Sequence, residues 1–140
     1  MILLVDDQPA MRLLAHHMLR MGGFDVLEAG GGAQALLIAT GATSDGGRID
    51  ALVTDVVMPG MSGPALVNKL REHGIALPVV YMTGYGVDTA RQQGVPDGAT
   101  VLTKPFTVST LLNAVREAIS SVAGEAAVSS ASEPATSLPC

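Results

Sequence analysis

The chain is short of cysteine, of aromatic rings and of charge. Its 140 residues hold no tryptophan, two tyrosines, two phenylalanines and a single cysteine. Cys140, at the last position, cannot close an intramolecular disulfide, so nothing marks an oxidising compartment. Charged side chains make up 15% of the residues, and Lys plus Arg number 8 against 13 Asp plus Glu, a net charge of -5. That deficit of positive charge argues against direct binding to nucleic acid or to an anionic membrane surface. No stretch approaches the roughly 20 continuous apolar residues needed to span a bilayer. Met1 runs straight into an apolar segment with no basic region ahead of it, so the expectation is a soluble, unexported, cytoplasmic chain. The Gly30-Gly31-Gly32 run lacks G-x-G-x-x-G spacing after a first strand, which sets dinucleotide binding aside.

What the chain does have is apolar content, 48% of its residues. At this length that supports one domain, which buries roughly two thirds of the surface its unfolded form exposes. Ile2-Leu3-Leu4-Val5 is a short apolar run of the kind found in strands covered on both faces, and it stops at Asp6. Pro9 suits a first helical turn, and Leu13, Leu14, His17, Met18 and Met21 follow at helical spacing until Gly22-Gly23. The same reading places a second strand over 24–28 and a second helix from Gly30-Gly31-Gly32 to about Thr40. Thr43 to Arg48 reads as a polar loop, and a third strand over 50–54 ends at Asp55. A third helix is expected over 63–73, a fourth strand from Pro78 to Thr83, and a short, weakly apolar fourth helix over 87–93. Residues 99–103 form the fifth strand, and Val108 to about Val122 the fifth helix. From residue 124 to 140 the chain is mostly Ala, Ser, Glu, Pro and Thr, so a domain over 1–123 with a disordered tail is expected.

Strict alternation of strand and helix implies a parallel sheet with right-handed crossovers and helices on both faces. In such sheets ligands bind beyond the carboxyl ends of the strands, at the topological switch point. Asp6, Asp7, Asp55, Thr83 and Lys104 all fall at that edge. Two unit charges about 4 Å apart repel by about 4 kcal/mol at an effective dielectric of 20, so three clustered carboxylates need a counter-charge. Magnesium fits, because it takes oxygen ligands and is commonly held by one or two carboxylates plus phosphate. Lys104 can make a point-charge contact with a carboxylate or phosphate, and the Thr83 hydroxyl can hydrogen-bond a phosphoryl oxygen. The bland readings are helix capping by Asp6-Asp7, a turn threonine at 83 and a solvated lysine at 104; none accounts for the set. Lys104-Pro105 is also a candidate cis peptide. His16 and His17 read as solvated or partly packed helix positions, and Met11, Met18, Met21, Met58, Met61 and Met82 as core or loop filler.

Leu-Val-Asp-Asp after the first strand, Thr-Asp-Val-Val-Met-Pro-Gly-Met-Ser-Gly around the third, Met-Thr-Gly-Tyr after the fourth and Thr-Lys-Pro-Phe after the fifth occur in this order. Together they resemble the receiver domain of two-component response regulators and hybrid histidine kinases, over residues 2 to about 122. The resemblance implies a flavodoxin-like, doubly wound (βα)5 fold with strand order 2-1-3-4-5. It implies Asp55 as the phosphoacceptor, charged from a phosphohistidine on a partner histidine kinase or phosphotransfer domain. It makes Asp6, Asp7, Asp55 and the Val57 backbone carbonyl the Mg2+ ligands, and Thr83 and Lys104 the phosphoryl-binding groups. Such a domain assists its own phosphorylation and dephosphorylation without being a turnover enzyme. Its output passes through the surface of the fourth helix, fifth strand and fifth helix to a downstream protein, a face that also suits a homodimer.

The chain departs from the pattern at Val101, where many receivers carry Phe or Tyr three residues before the lysine. Thr83, Tyr85 and Val101 are therefore the positions to watch for the switch. Two other functions compete: a pseudo-receiver that binds protein without phosphorylation, and a phosphatase of the haloacid dehalogenase type. The latter places its acids at D-x-D spacing, whereas Asp6 and Asp7 are adjacent.

Overall fold

Two strands, β1 (Ile2–Val5) and β3 (Ala51–Asp55), have every residue buried, and they lie side by side at the centre of the sheet. The computed structural model describes residues 1–44 and 49–131, with side chains described over 1–41 and 49–120. Around the central pair it sets β2 (Val26–Ala29) beyond β1, and β4 (Val79–Thr83) and then β5 (Thr100–Thr103) beyond β3. All four pairings are parallel and the order is β2-β1-β3-β4-β5, as the resemblance implied. The apolar runs of β1 and β3 are explained by this placement, since a parallel strand with helices on both faces has no wet side.

Helices α1 (Pro9–Met21) and α5 (Val108–Ala131) cover one face of the sheet. There Ala15, Met18, Leu19, Leu111, Leu112 and Val115 pack on Ile2, Leu4, Val53, Val80 and Met82. Helices α2 (Gly32–Ser44), α3 (Gly63–Glu72) and α4 (Val87–Gln92) cover the other. Leu66, Val67 and Leu70 meet Leu3, Val5, Leu52 and Tyr81 on that side. Local chemistry sets the helix ends. Pro9 opens α1, and Gly23, at φ 87°, takes the left-handed turn after it. The Ser62 hydroxyl caps α3 by accepting the Ala65 N–H at 3.2 Å.

Two helices run past their expected ends. Helix α2 runs on to Ser44, so Thr43 and Ser44 are helical, while residues 45–48 lie outside the described residues. Gly41 inside it costs only about 1 kcal/mol relative to alanine, too little to stop a helix packed on a core. Helix α5 likewise passes the expected end near Val122 and continues through Gly124 to Ala131. Ala123, Glu125, Ala126 and Ala127 are strong helix formers, and they outweigh one glycine. The expected disordered tail from 124 is thus helical as far as 131, and 132–140 lie outside the described residues. The Lys104-Pro105 peptide is cis.

One glycine fixes how closely α3 approaches the sheet edge. Gly63 donates its N–H to Val56 O at 2.9 Å, and a β-carbon there would stand 2.5 Å from the Asp55 carbonyl oxygen. Because the obstacle is backbone, relief requires moving either the start of α3 or the end of β3. Gly63→Ala is expected to lower unfolding free energy by about 1–3 kcal/mol in urea titration. Gly31→Ala, where no atom lies within 4 Å of the added carbon, should stay within about 0.5 kcal/mol of the parent.

Candidate functional site

The register of β1 against β3 creates the site. Val5 pairs with Thr54, so the next residue on each strand, Asp6 and Asp55, emerges at the same carboxyl edge on neighbouring strands. Adjacent strands are about 4.8 Å apart, within carboxylate reach. Oxygens of Asp6, Asp7 and Asp55 all lie within 4.8 Å of one another. Asp6 is 1% exposed and Asp55 7%, whereas Asp7 is only partly buried. Asp6 is held by its side chain: Oδ1 accepts the Gln8 N–H at 2.9 Å. At the end of β3 the Thr54 hydroxyl donates to the Asp55 carbonyl at 3.0 Å.

Lys104 comes from two strands away. It follows β5, its backbone N–H donates to Thr83 O at 2.8 Å, and its long side chain crosses β4 to reach the acids. Its ammonium donates to Asp55 Oδ2 at 3.1 Å and to Asp6 Oδ2 at 3.2 Å, with the side chain 14% exposed. Burial raises the Asp55 pKa, from 3.8 to about 6; Lys104 pulls it back down, and the negative charges of Asp6 and Asp7 push it up. Burial acts to lower the Lys104 pKa, but Asp55 and Asp6 outweigh it and leave it raised. Three carboxylates facing one ammonium leave two negative charges uncompensated, and every donor is a hard oxygen. That donor set fits a small divalent cation, and Asp6, Asp7 and Asp55 are the residues to hold it.

An open cleft of about 570 Å³ rises from the acids, lined by Asp7, Asp55, Val57, Met58, Tyr85 and Lys104 among others. Tyr85 stands 70% exposed on its rim. Thr83 is not at that surface: it is 1% exposed, and its Oγ1 accepts the Tyr85 N–H at 3.0 Å. Thr83 ends β4 at the carboxyl edge of the sheet, and its hydroxyl caps the turn that follows. Val101 is remote from the cleft, paired with Tyr81 across β4 and β5 and packed partly buried against the core under α4.

Sequence reasoning missed a second polar cluster beside the first. Arg12 Nη1 donates to the Asp6 carbonyl at 2.8 Å and its Nε to Glu28 Oε1 at 3.0 Å. His16 Nδ1 lies 2.6 Å from Glu28 Oε2, a close contact without the alignment of a hydrogen bond. His16 thus has a carboxylate partner that no spacing along α1 could reveal, because it sits on β2. The i, i+4 spacing of Arg12 and His16 was the available signal that both face one neighbour.

Helix length and apolarity give no membrane-crossing candidate among the described residues. The family model for the response regulator receiver domain matches residues 2–116. The chain is 36% identical over 118 residues to the sensor kinase CckA of Brucella abortus, covering 83% of this chain and 12% of that one. It is 39% identical to the sensor protein EvgS of Escherichia coli K12, covering 79% and 9%. To sporulation initiation phosphotransferase F of Bacillus subtilis it is 32% identical, covering 83% and 90%. The chain therefore spans about a tenth of the two sensor proteins but nearly all of the phosphotransferase. Among solved structures, the receiver domain from the hybrid histidine kinase CckA superposes with a TM-score of 0.69 at 38% identity, covering 84% and 97%. A receiver domain protein from Clostridium thermocellum gives 0.73 at 28%, covering 87% and 95%. Sequence match, strand order and the edge cluster of Asp6, Asp7, Asp55 and Lys104 agree: this chain belongs to the response regulator receiver domain family.

Proposed function

We propose that Asp55 is the phosphoacceptor of this receiver, charged by a phosphohistidine on a histidine kinase or phosphotransfer domain in the cytoplasm. The observation that carries the reading is the Lys104 ammonium shared between Asp55 and Asp6 at the floor of an open cleft. The Asp55 oxygen that Lys104 does not hold forms a bond to phosphorus as the P–N bond to histidine breaks, and the electron pair leaves with the ring nitrogen. The Lys104 ammonium, bound to the other Asp55 oxygen at 3.1 Å, supplies positive charge beside the reacting carboxylate. The Asp6, Asp7 and Asp55 carboxylates with the Val57 backbone carbonyl are the groups to hold Mg2+, which when bound neutralises phosphoryl charge. The chain accepts and releases the phosphoryl group with its own residues and is not a turnover enzyme.

An acyl phosphate on Asp55 carries about two negative charges and strong acceptor oxygens, so Thr83 and Lys104 are the groups it draws. Tyr85 is coupled to Thr83 by their hydrogen bond, and α4 beyond it is short, with Ala90 its buried residue. We assign the output surface to α4, β5 and α5, where a downstream protein or a second copy of the chain docks.

Incubation with Mg2+ and acetyl phosphate is expected to add one phosphoryl group by intact mass, and Asp55→Asn to abolish the addition. An unmodified parent chain would instead mark a protein-binding module that works without phosphate. Turnover of small phosphoesters would mark a phosphatase.

The raised Asp55 pKa gives a second, metal-free expectation. The folded chain holds this proton up to about pH 6 and the unfolded chain only to about 3.8, so folding is disfavoured by this group at higher pH. The penalty is complete above pH 6 and fades as pH falls toward 3.8. Asp55→Asn, neutral throughout, should raise unfolding free energy by about 1–2 kcal/mol at pH 7.5, discounted for residual solvation, and by progressively less toward pH 4. Urea titrations of both proteins at three pH values measure it; a gain that is constant with pH would contradict it.

A further inference from the structure

The peptide that joins Asp6 to Asp7 is gripped from outside the acidic cluster. Its carbonyl accepts Arg12 Nη1 at 2.8 Å, while the Asp6 N–H donates to Ala29 O at 3.2 Å. Asp6 is thereby fixed by backbone on both sides and by Gln8 and Lys104 through its carboxylate. Asp7 has no such restraint: among the described residues its carboxylate takes no hydrogen bond. The peptide before Asp7 carries its nitrogen and α-carbon, and Arg12 holds that peptide by its carbonyl.

Arg12 is itself built in. Its side chain is 22% exposed, its Nε is bound to Glu28 on β2, and a β-carbon on Gly30 would stand 3.4 Å from Nη1. The second oxygen of Glu28 faces His16, one helical turn along α1 from Arg12. A guanidinium suits this place because its fork offers two donors in fixed directions, one for the carbonyl and one for the carboxylate; an ammonium has no such geometry. Groups that orient metal ligands without touching the metal typically alter affinity about 10–100-fold when removed.

We infer that Arg12 is a positioning residue for the Asp6-Asp7 metal ligands, and that Glu28, supported by His16, fixes Arg12 from the far edge of the sheet. This rests on the magnesium-dependent reading of Asp6, Asp7 and Asp55 given above. It makes metal affinity depend on β2, a strand that contributes no ligand.

The test is Mg2+ titration of the full chain, followed by the amide NMR shifts of Asp7 and Gln8 and by calorimetry, with stability measured separately in urea. Arg12→Met, which keeps the aliphatic stem, is expected to weaken Mg2+ binding about 10–100-fold. Arg12→Lys should recover only part of that loss. Glu28→Gln keeps an oxygen for Nε but loses the charge, and should weaken binding about threefold, since charge-assisted bonds are about twice as strong as neutral ones. At saturating Mg2+ the acetyl phosphate rate of each variant should return to within about twofold of the parent, because the defect lies in ligand placement and not at Asp55. Variants that lose stability in urea but bind Mg2+ like the parent would overturn the inference and leave Arg12 a structural clamp between α1 and β2. If Arg12→Met does not fold, Glu28→Gln decides by the same criterion. A parent chain that shows no Mg2+ response, with Asp7→Asn indistinguishable from it, would instead overturn the metal reading on which the inference stands.

Discussion

One ammonium group shared between two buried carboxylates is the interaction on which the carboxyl edge of this sheet depends. Lys104 lies 98 residues from Asp6 and 49 from Asp55 along the chain, yet its Nζ is within 3.2 Å of both. Neither acid could be so deeply buried as an anion without it: an uncompensated buried carboxylate protonates or is expelled. Even so the compensation is partial. Asp55 titrates near pH 6 in spite of Lys104, because burial and two further acids work against ionisation. One divalent cation would offset the two negative charges left over, and the cleft above the acids is open to solvent. The same imbalance explains why the edge needs so much backbone support, from Gln8 N–H, Ala29 O and Arg12 on one side and Thr83 O on the other.

The support comes from the order of strands. A chain that wound its strands in sequence would separate β1 from β3 by β2, about 9.6 Å, and the acids after them could not share one ammonium. Placing β2 outside brings Asp6 beside Asp55 and leaves a crevice where the connections diverge. Gly63 matters for the same reason: α3 must start against the Asp55 carbonyl, and only a residue without a β-carbon lets it.

The sequence was informative where a single local pattern decides the outcome. The apolar runs 2–5 and 51–54 each stop at an acid, and a strand buried on both faces admits little else; the acids at the edge were therefore legible in the sequence. Lys104 was legible for a like reason, since it follows the fifth strand directly and precedes Pro105-Phe106. Boundaries were less so. The stop expected for α5 near Val122 rested on a composition change, but alanine and glutamate continue a helix whether or not they bury anything, and the helix runs to Ala131. The Arg12, Glu28 and His16 cluster was invisible because its members belong to α1 and β2, and spacing within one element says nothing about which carboxylate lies opposite. Thr83 was legible as the end of a strand and the start of a turn before Gly84, and its hydroxyl does accept the Tyr85 N–H there.

The Thr83–Tyr85 bond bears on how a charge at Asp55 would reach the surface. The aromatic ring beside position 101 is Tyr81 on the neighbouring strand, 3% exposed, and a ring enclosed in a close-packed core changes rotamer only if its neighbours move. The Val101–Tyr81 pair is thus a rigid part of the sheet. Tyr85 is 70% exposed, and its backbone N–H is bound to Thr83 Oγ1 at 3.0 Å. A hydroxyl has one donor and two acceptor lone pairs, so the Thr83 oxygen can go on accepting that N–H while its O–H donates to a phosphoryl oxygen, a bond to a charged group worth about 1.5–3 kcal/mol. The two bonds do not compete, and a Thr83 drawn toward charge on Asp55 would therefore take the Tyr85 backbone with it. Beyond Tyr85 the chain enters α4, a six-residue helix with Ala90 buried and Val87 42% exposed, so a shift of that turn would be felt first at the start of α4 and would need no second aromatic.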